Sequence, residues 1–185
     1  MNLMLFDTQP NINTVKKILI ILLILFPIFM ILVNYAFEIS NYPVNVMESQ
    51  LSFSGNEIRS HYKQMTPSDI QQYIYAQLVD YTYIIIYSLL TLFIGLYLGR
   101  QHFFTSKIRF SAYITGLGGL TAGCCDAIEN MFILLMATRS NDFPDIYAII
   151  HSIFASIKFA LLGIFIIWTI LILMIIFYRK INEKS

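Results

Sequence analysis

GLGGLTAGCCDAIENMFILL, residues 116–135, is an apolar, glycine-rich stretch that is interrupted by two carboxylates and an amide. Asp126, Glu129 and Asn130 are spaced i, i+3 and i+4, so a helix places all three side chains on one face. A charged group in the hydrocarbon of a bilayer costs at least a few kcal/mol, so such groups are rare and usually functional. The stretch therefore predicts a membrane-spanning helix that carries the candidate site.

The composition of the whole chain is typical of a membrane protein. Its 185 residues are 57% hydrophobic and 12% charged, whereas a soluble domain carries roughly 25% charged residues. The net charge of +1 gives no electrostatic case for binding nucleic acid. Cys124 and Cys125 are adjacent inside an apolar helix and lack metal-ligand spacing, so they are expected to be small packing residues. We expect neither a metal nor a cofactor.

Four apolar stretches are long enough to cross the hydrocarbon core as helices, which takes about 20 residues each. They run over about residues 18–37, 73–98, 111–137 and 147–178. Pro27 is expected to kink the first of them. Lys16 and Lys17 precede this first stretch as they would in a signal peptide, but the apolar run is long and no good cleavage site follows it. A retained span is therefore favoured.

The links between the spans predict their arrangement within a single membrane domain, residues 1–185. Two short links make the later spans antiparallel neighbours, so we predict an all-α, up-down four-helix transmembrane bundle. The first outer loop, residues 38–72, is too long for a plain connector and is expected to have structure of its own. Residues 56–65 predict a short extra helix there. Thr66 and Pro67 then predict the start of the next helix, as N-cap and first helical residue.

The distribution of Lys and Arg predicts the orientation in the membrane, because cytoplasmic loops carry an excess of these residues. One side of the membrane is predicted to carry Lys16, Lys17, Arg100, Lys107, Arg109, Arg179, Lys180 and Lys184. The other side is predicted to carry only Arg59, Lys63 and Arg139. The chain is therefore expected to lie in the cell membrane, inner or plasma, with both termini in the cytoplasm and residues 38–72 outside.

Three of the spans carry ionisable residues at matching depths. At about 1.5 Å per residue, Asp126 and Lys158 each lie roughly 16 Å from the outer end of their span. Asp80 lies roughly 10 Å deep, level with Glu129 and Asn130, whereas His151 lies nearer the outer surface. The residues predicted to bind a ligand or exchange a proton are Asp126, Glu129, Asn130, Lys158 and Asp80, with His151, Tyr83 and Tyr87 in support.

Glycine spacing predicts which face of the third span points inward. Gly116, Gly119 and Gly123 lie on the same side as Asp126, and small residues let helices approach closely in a membrane. The polar face is therefore expected to point into the bundle rather than toward lipid.

The charge of the predicted cluster does not balance. Asp80, Asp126 and Glu129 carry three negative charges when all are ionised, and Lys158 carries one positive charge. This imbalance implies that a carboxyl group holds a proton, that a cation binds, or that water enters from outside. A buried ion pair between Lys158 and Asp126 that only fixes the packing of the helices is the structural alternative.

One combination of residues extends over most of the chain. It consists of Tyr62 in the predicted loop helix, the pair Asp80-Tyr81 in the second span, Asp126-Ala-Ile-Glu129-Asn130 in the third and Lys158 in the fourth. In this combination the chain resembles a set of small four-span bacterial membrane proteins of unknown function. The Asp-x-x-Glu-Asn element is the most specific part of the resemblance, which implies the four-span fold and no particular activity.

A second, more general likeness concerns the chemistry of the cluster. Several acids in an apolar, aromatic-lined site are similar, by analogy, to proteins of the emopamil-binding and sigma-2-receptor type. In those helical bundles, buried acids meet an amphipathic amine or a sterol carbocation. The likeness implies a site for a small molecule, but it assigns no particular residue of this chain to that site.

Three functions are compatible with these observations. The first is a site that binds or processes a lipid-like or amphipathic molecule, with Tyr83, Tyr87 and Phe154 as apolar walls. Asp126 and Glu129 would hold its polar or cationic head or exchange a proton. The second is proton- or cation-coupled transport in an oligomer. A continuous pore through one subunit is not expected, because the inner half of every span is apolar. The third is a structural or assembly protein that meets a partner, or another copy of itself, through residues 38–72. Whether a reaction is catalysed stays open.

Overall fold

A computed structural model of the chain describes residues 4–101 and 103–182. In chain order, the helices of these residues are α1 (Met4–Thr8), α2 (Ile12–Glu38), α3 (Val46–Gln50), α4 (Gly55–Lys63), α5 (Pro67–Gly99), α6 (Ser106–Ala137) and α7 (Asp145–Asn182). Four of them, α2, α5, α6 and α7, are long and apolar enough to cross a membrane. The chain is a multi-pass membrane protein, and the predicted all-α four-helix bundle is confirmed.

The long helices extend beyond the apolar stretches from which they were predicted. The first span was expected to begin at residue 18, but α2 begins at Ile12. Asn11 caps it, because its side-chain oxygen accepts a hydrogen bond from the backbone N–H of Asn13 at 2.9 Å. Helix α5 begins at Pro67, as predicted, behind a capping box in which Thr66 and Asp69 exchange side-chain and backbone hydrogen bonds.

The order of packing leaves one gap in the bundle. Helix α5 packs along both α2 and α6, and α6 also packs along α7. Helices α2 and α7 make no comparable contact with each other. A space therefore lies between them, above the surface formed by α5 and α6.

Glycines of α5 and α6 allow these two helices to approach each other closely. A Cβ atom at Gly95 of α5 would lie 2.7 Å from the Cα of Gly116, and one at Gly119 would overlap the side chain of Thr91. Helices with a side chain at these positions could not come so close. The predicted inward direction of the glycine face is therefore confirmed, and it points toward α5.

Residues 38–72 form a compact cap on one end of the bundle, which we call the loop end. The predicted helix is present as α4, capped by Ser54, whereas α3 was not predicted. Tyr42 stacks on Tyr73 of α5 with ring centroids 4.5 Å apart, and its hydroxyl lies 2.7 Å from Oγ of Ser49. Burial raises the pKa of Tyr42 to about 12, because the charged phenolate is disfavoured there.

The opposite end, which we call the terminal end, holds the N-terminal segment. The buried guanidinium of Arg100 donates hydrogen bonds to the carbonyl oxygens of Phe6, Gln9 and Pro10. Arg109 forms an ion pair with Asp7. Both arginines predicted the orientation in the membrane, and in the structure they also bind the segment before α2. Lys184 and the side chain of Lys180 lie outside the described part of the chain.

Candidate functional site

Lys158 of α7 occupies the centre of a buried polar cluster, with 4% of its surface exposed. Its Nζ lies 2.9 Å from Oδ1 of Asp126 and 2.6 Å from Oε2 of Glu129. The predicted proximity of Lys158 and Asp126 is confirmed, and Glu129 is a second partner. The two acids are three residues apart on α6, so one helical turn presents both carboxylates to the same ammonium group.

The cluster continues from α6 to α5 through two hydrogen bonds. The Tyr87 hydroxyl donates to Oδ2 of Asp126 at 2.7 Å. The side-chain amide of Asn130 donates to Oδ2 of Asp80 at 2.7 Å. Asp126 is therefore engaged on both oxygens, whereas the bond from Asn130 engages one oxygen of Asp80. Asp80 is half-buried, in contrast to the other acids of the cluster.

Glu129 and His151 form the side of the cluster nearest the loop end. Glu129 is fully buried, and its Oε1 lies 4.0 Å from Nε2 of His151, which is too far for a hydrogen bond. Oε2 of Glu129 is paired with the Lys158 ammonium group, whereas Oε1 has no hydrogen bond among the described residues. On the far side of His151, Oγ of Ser152 accepts a hydrogen bond from the backbone N–H of Phe53 at 3.1 Å.

A cavity of about 500 Å³ borders this cluster. It lies between α2 and α7, over α5, and its size is within the range of small-molecule sites. Most of its wall is apolar, with Phe26, Val33 and Phe37 from α2, Leu90 and Ile94 from α5, and Phe159, Leu162, Phe165 and Ile166 from α7. The polar cluster forms one part of an otherwise apolar wall.

The predicted site residues divide into two groups at this cavity. Those that line it are Asp80, Asp126, Asn130, Lys158, Tyr83 and Tyr87. Glu129 and His151 are not part of the lining and lie behind Lys158. Phe154 was predicted as a wall, and this prediction was wrong. The α7 residues that line the cavity begin at Lys158, one helical turn after Phe154.

Gln77 also borders the cavity, although it was not among the residues predicted for the site. It lies on α5, one turn before Asp80, and 1% of its surface is exposed. Its amide lies beside the Tyr73 hydroxyl, although neither of its polar atoms has a hydrogen bond of ordinary geometry among the described residues. The i, i+3 spacing to Asp80 was the signal in the sequence, but a glutamine close to the end of a span reads as an interfacial residue. The hydropathy pattern of the span does not show that this position is buried.

The chemistry of the cluster is that of hydrogen-bond acceptors and charge. Three carboxyl groups and one ammonium group lie close together beside a largely apolar cavity. Within the described residues, no group of three His, Cys, Asp or Glu side chains could hold a metal ion. The arrangement is suited to binding a donor group, or to moving a proton between acids.

No protein-family model, no curated protein and no solved structure matches this chain. The likeness to small four-span bacterial proteins stays a prediction from the residues quoted for it. The geometry of the cavity and of the cluster beside it therefore has to indicate the function.

Proposed function

We propose that the protein binds a lipid-like, amphipathic small molecule in the cavity between α2 and α7. Its polar head would meet the cluster of Asp80, Asp126 and Asn130, and its apolar part would lie along α2 and α7. The observation that supports this most is the apolar cavity of about 500 Å³ with polar groups in one part of its wall. Sites for small molecules have this composition, because apolar walls provide affinity and a few polar groups provide orientation.

Asp80 is the acid best placed to hold the head group. Asp126 is engaged by Lys158 and by Tyr87, and Glu129 lies outside the lining. Asp80 lines the cavity, and Asn130 donates to its Oδ2, so we place the ligand on Oδ1. An acceptor oxygen in a cluster with an excess of acids favours a head that donates hydrogen bonds, above all a protonated amine.

The space between α2 and α7 provides a route from the membrane. These helices make no extensive contact with each other, and most of the side chains that line the cavity from them, such as Val33 and Leu162, are apolar. An amphipathic molecule dissolved in the bilayer could enter sideways while its chain stays in an apolar environment. A water-soluble molecule would gain less from such a route.

Equilibrium binding of radiolabelled dodecylamine tests the proposal. The protein is placed in phosphatidylcholine nanodiscs, and empty nanodiscs give the background. We expect saturable binding that Asp80→Asn weakens at least about tenfold, because a hydrogen bond to a charged group contributes about 1.5–3 kcal/mol. Asp142→Asn, an exposed aspartate in the link after α6, should bind like the unchanged protein.

Two outcomes would contradict the proposal. The first is the same non-saturable uptake by protein-containing and empty nanodiscs. The cluster would then only fix the packing of the helices. The second is saturable binding that Asp80→Asn and Asp142→Asn affect equally, which would place the amine elsewhere on the protein.

A further inference from the structure

Asn34 of α2 is a polar side chain in a span that is otherwise apolar. It is the only residue of the stretch 18–37 that carries an amide or a charge. A polar group in the hydrocarbon of a membrane is costly, so such groups usually contact a partner. The Asn34 side chain has no hydrogen bond with another described residue. It is exposed and forms part of the cavity wall, so its amide offers both a donor and an acceptor to a molecule there.

Two aromatic contacts give the register of α2 against α5. The rings of Phe37 and Tyr73 have centroids 6.0 Å apart, and those of Phe26 and Tyr83 have centroids 5.5 Å apart. The helices are antiparallel, because residue numbers fall along α2 and rise along α5 from the first contact to the second. Asn34 comes three residues before Phe37, so it lies level with the position about three residues after Tyr73.

The cavity therefore has polar groups at two levels. Asp80 comes about four residues after the position that is level with Asn34, so it lies roughly 6 Å farther from the loop end, at about 1.5 Å per residue. Beyond Asp80 the wall continues along α5 to Leu90 and Ile94, which are apolar. An alkyl chain that follows these residues away from the loop end leaves its amine at Asp80. Any further polar group of the head then points toward Asn34.

We infer that Asn34 is a specificity-determining residue, and that the ligand carries a hydroxyl group on the loop-end side of the amine that Asp80 holds. A hydroxyl group can accept from the amide nitrogen or donate to the amide oxygen. Two carbon atoms between the amine and the hydroxyl, followed by a hydrogen bond of about 2.9 Å, match the separation of the two levels. The ligand class is a long-chain amine whose nitrogen also bears a hydroxyethyl group. This inference rests on the proposed function and adds a second polar contact to it.

The experiment compares two secondary amines that share a dodecyl chain on the nitrogen. The second substituent is a hydroxyethyl group in one and a propyl group in the other, so a hydroxyl replaces a methyl group. Both are measured in phosphatidylcholine nanodiscs with the unchanged protein, Asn34→Leu and Asn13→Leu. Asn13 is an exposed asparagine in the first turn of the same helix, outside the cavity wall, and serves as the matched control.

The quantity compared is the ratio of the two affinities, because the different uptake of the two amines by the bilayer is the same for every variant. We expect the ratio to favour the hydroxyethyl amine about fivefold more in the unchanged protein and in Asn13→Leu than in Asn34→Leu. Asn34→Leu should retain its affinity for the propyl amine, since that molecule does not need the amide.

The outcomes separate this inference from the proposed function. If both amines bind saturably but the ratio is the same in all three proteins, Asn34 does not contact the hydroxyl group and the inference is wrong, while the proposed function stands. The hydroxyl group would then be free or bound by another residue of the wall, such as Gln50 of α3. If neither amine binds saturably, the proposed function fails and the inference fails with it.

The melting temperature of the unliganded variants gives a second readout. An amide without a hydrogen bond adds no stability that leucine cannot supply in an apolar span, so Asn34→Leu should melt at or above the temperature of the unchanged protein. An Asn34→Leu protein that melts lower, or that fails to fold, would show that the amide has a structural partner and would overturn the inference.

Discussion

At the scale of single residues, Lys158 supplies the positive charge that two buried acids of the site share. Its ammonium group lies between two carboxylates of α6, and both acids depend on it because each is buried. Removing one partner from a buried ion pair costs about 3–5 kcal/mol, since an uncompensated charge stays in the interior. Here the removal of one lysine would leave two acids without their counter-charge.

We therefore expect Lys158→Met to lower the melting temperature of the purified protein strongly. Combining it with Asp126→Asn and Glu129→Gln should restore most of the loss, because no unpaired charge then remains. The double variant Lys158→Met with Asp126→Asn should recover only in part, since Glu129 keeps its carboxylate. Lys107→Met, an exposed lysine at the start of α6, is the control and should change little. Equal melting temperatures for Lys158→Met and Lys107→Met would contradict the central place of Lys158.

Depth counting along the spans predicted part of this cluster from the sequence. Lys158 and Asp126 were placed at the same level, and the structure brings their charged atoms to 2.9 Å. Depth does not give rotation about a helix axis, so it could not show that Glu129 also reaches the ammonium group while staying out of the cavity. Gln77 was missed for a related reason, because the hydropathy pattern of a span does not show whether a polar position near its end is buried.

At the scale of helices, close packing of α5 on α6 holds the two faces of the cluster together. Gly95 and Gly116 bring the backbones into contact, and Tyr87, Asp80, Asp126 and Asn130 then come within hydrogen-bond distance across the same interface. The glycine spacing in the sequence predicted this contact correctly. Helix α3 was not predicted from the sequence, because a helix of five residues has too short a pattern to recognise.

We expect Gly95→Leu to disrupt the bundle. An added Cβ would lie 2.6 Å from the backbone oxygen of Ala112, and a backbone atom cannot move aside as the end of a side chain can. Overpacking of this kind costs about 1–3 kcal/mol or more. Gly163→Leu is the matched control, since no atom lies within 4 Å of its added Cβ. The measurement is the melting temperature in detergent, and a Gly95→Leu protein as stable as Gly163→Leu would contradict this packing.

At the scale of the whole molecule, the bundle keeps a cavity where its first and last spans do not meet. Helix α2 packs on α5, and α7 packs on α6, so neither covers the surface between them. The four apolar stretches predicted the bundle, but an up-down arrangement alone does not predict which neighbours stay apart. The loop segment affects the cavity at one end, where Val46 and Gln50 of α3 contribute to its wall. The cavity is therefore a property of the complete fold.

Photo-cross-linking tests most directly whether this cavity holds an amphipathic molecule. Dodecylamine with a diazirine group on its chain is added to the protein in phosphatidylcholine nanodiscs, irradiated, and the labelled residues are identified by mass spectrometry. Labels are expected on Phe159 and Leu162, which line the cavity, and unlabelled dodecylamine should remove them by competition. Ile164 and Ile167 lie on the exposed face of the same helix and should carry only label that does not compete. Equal labelling of the two faces, unaffected by competitor, would contradict the account.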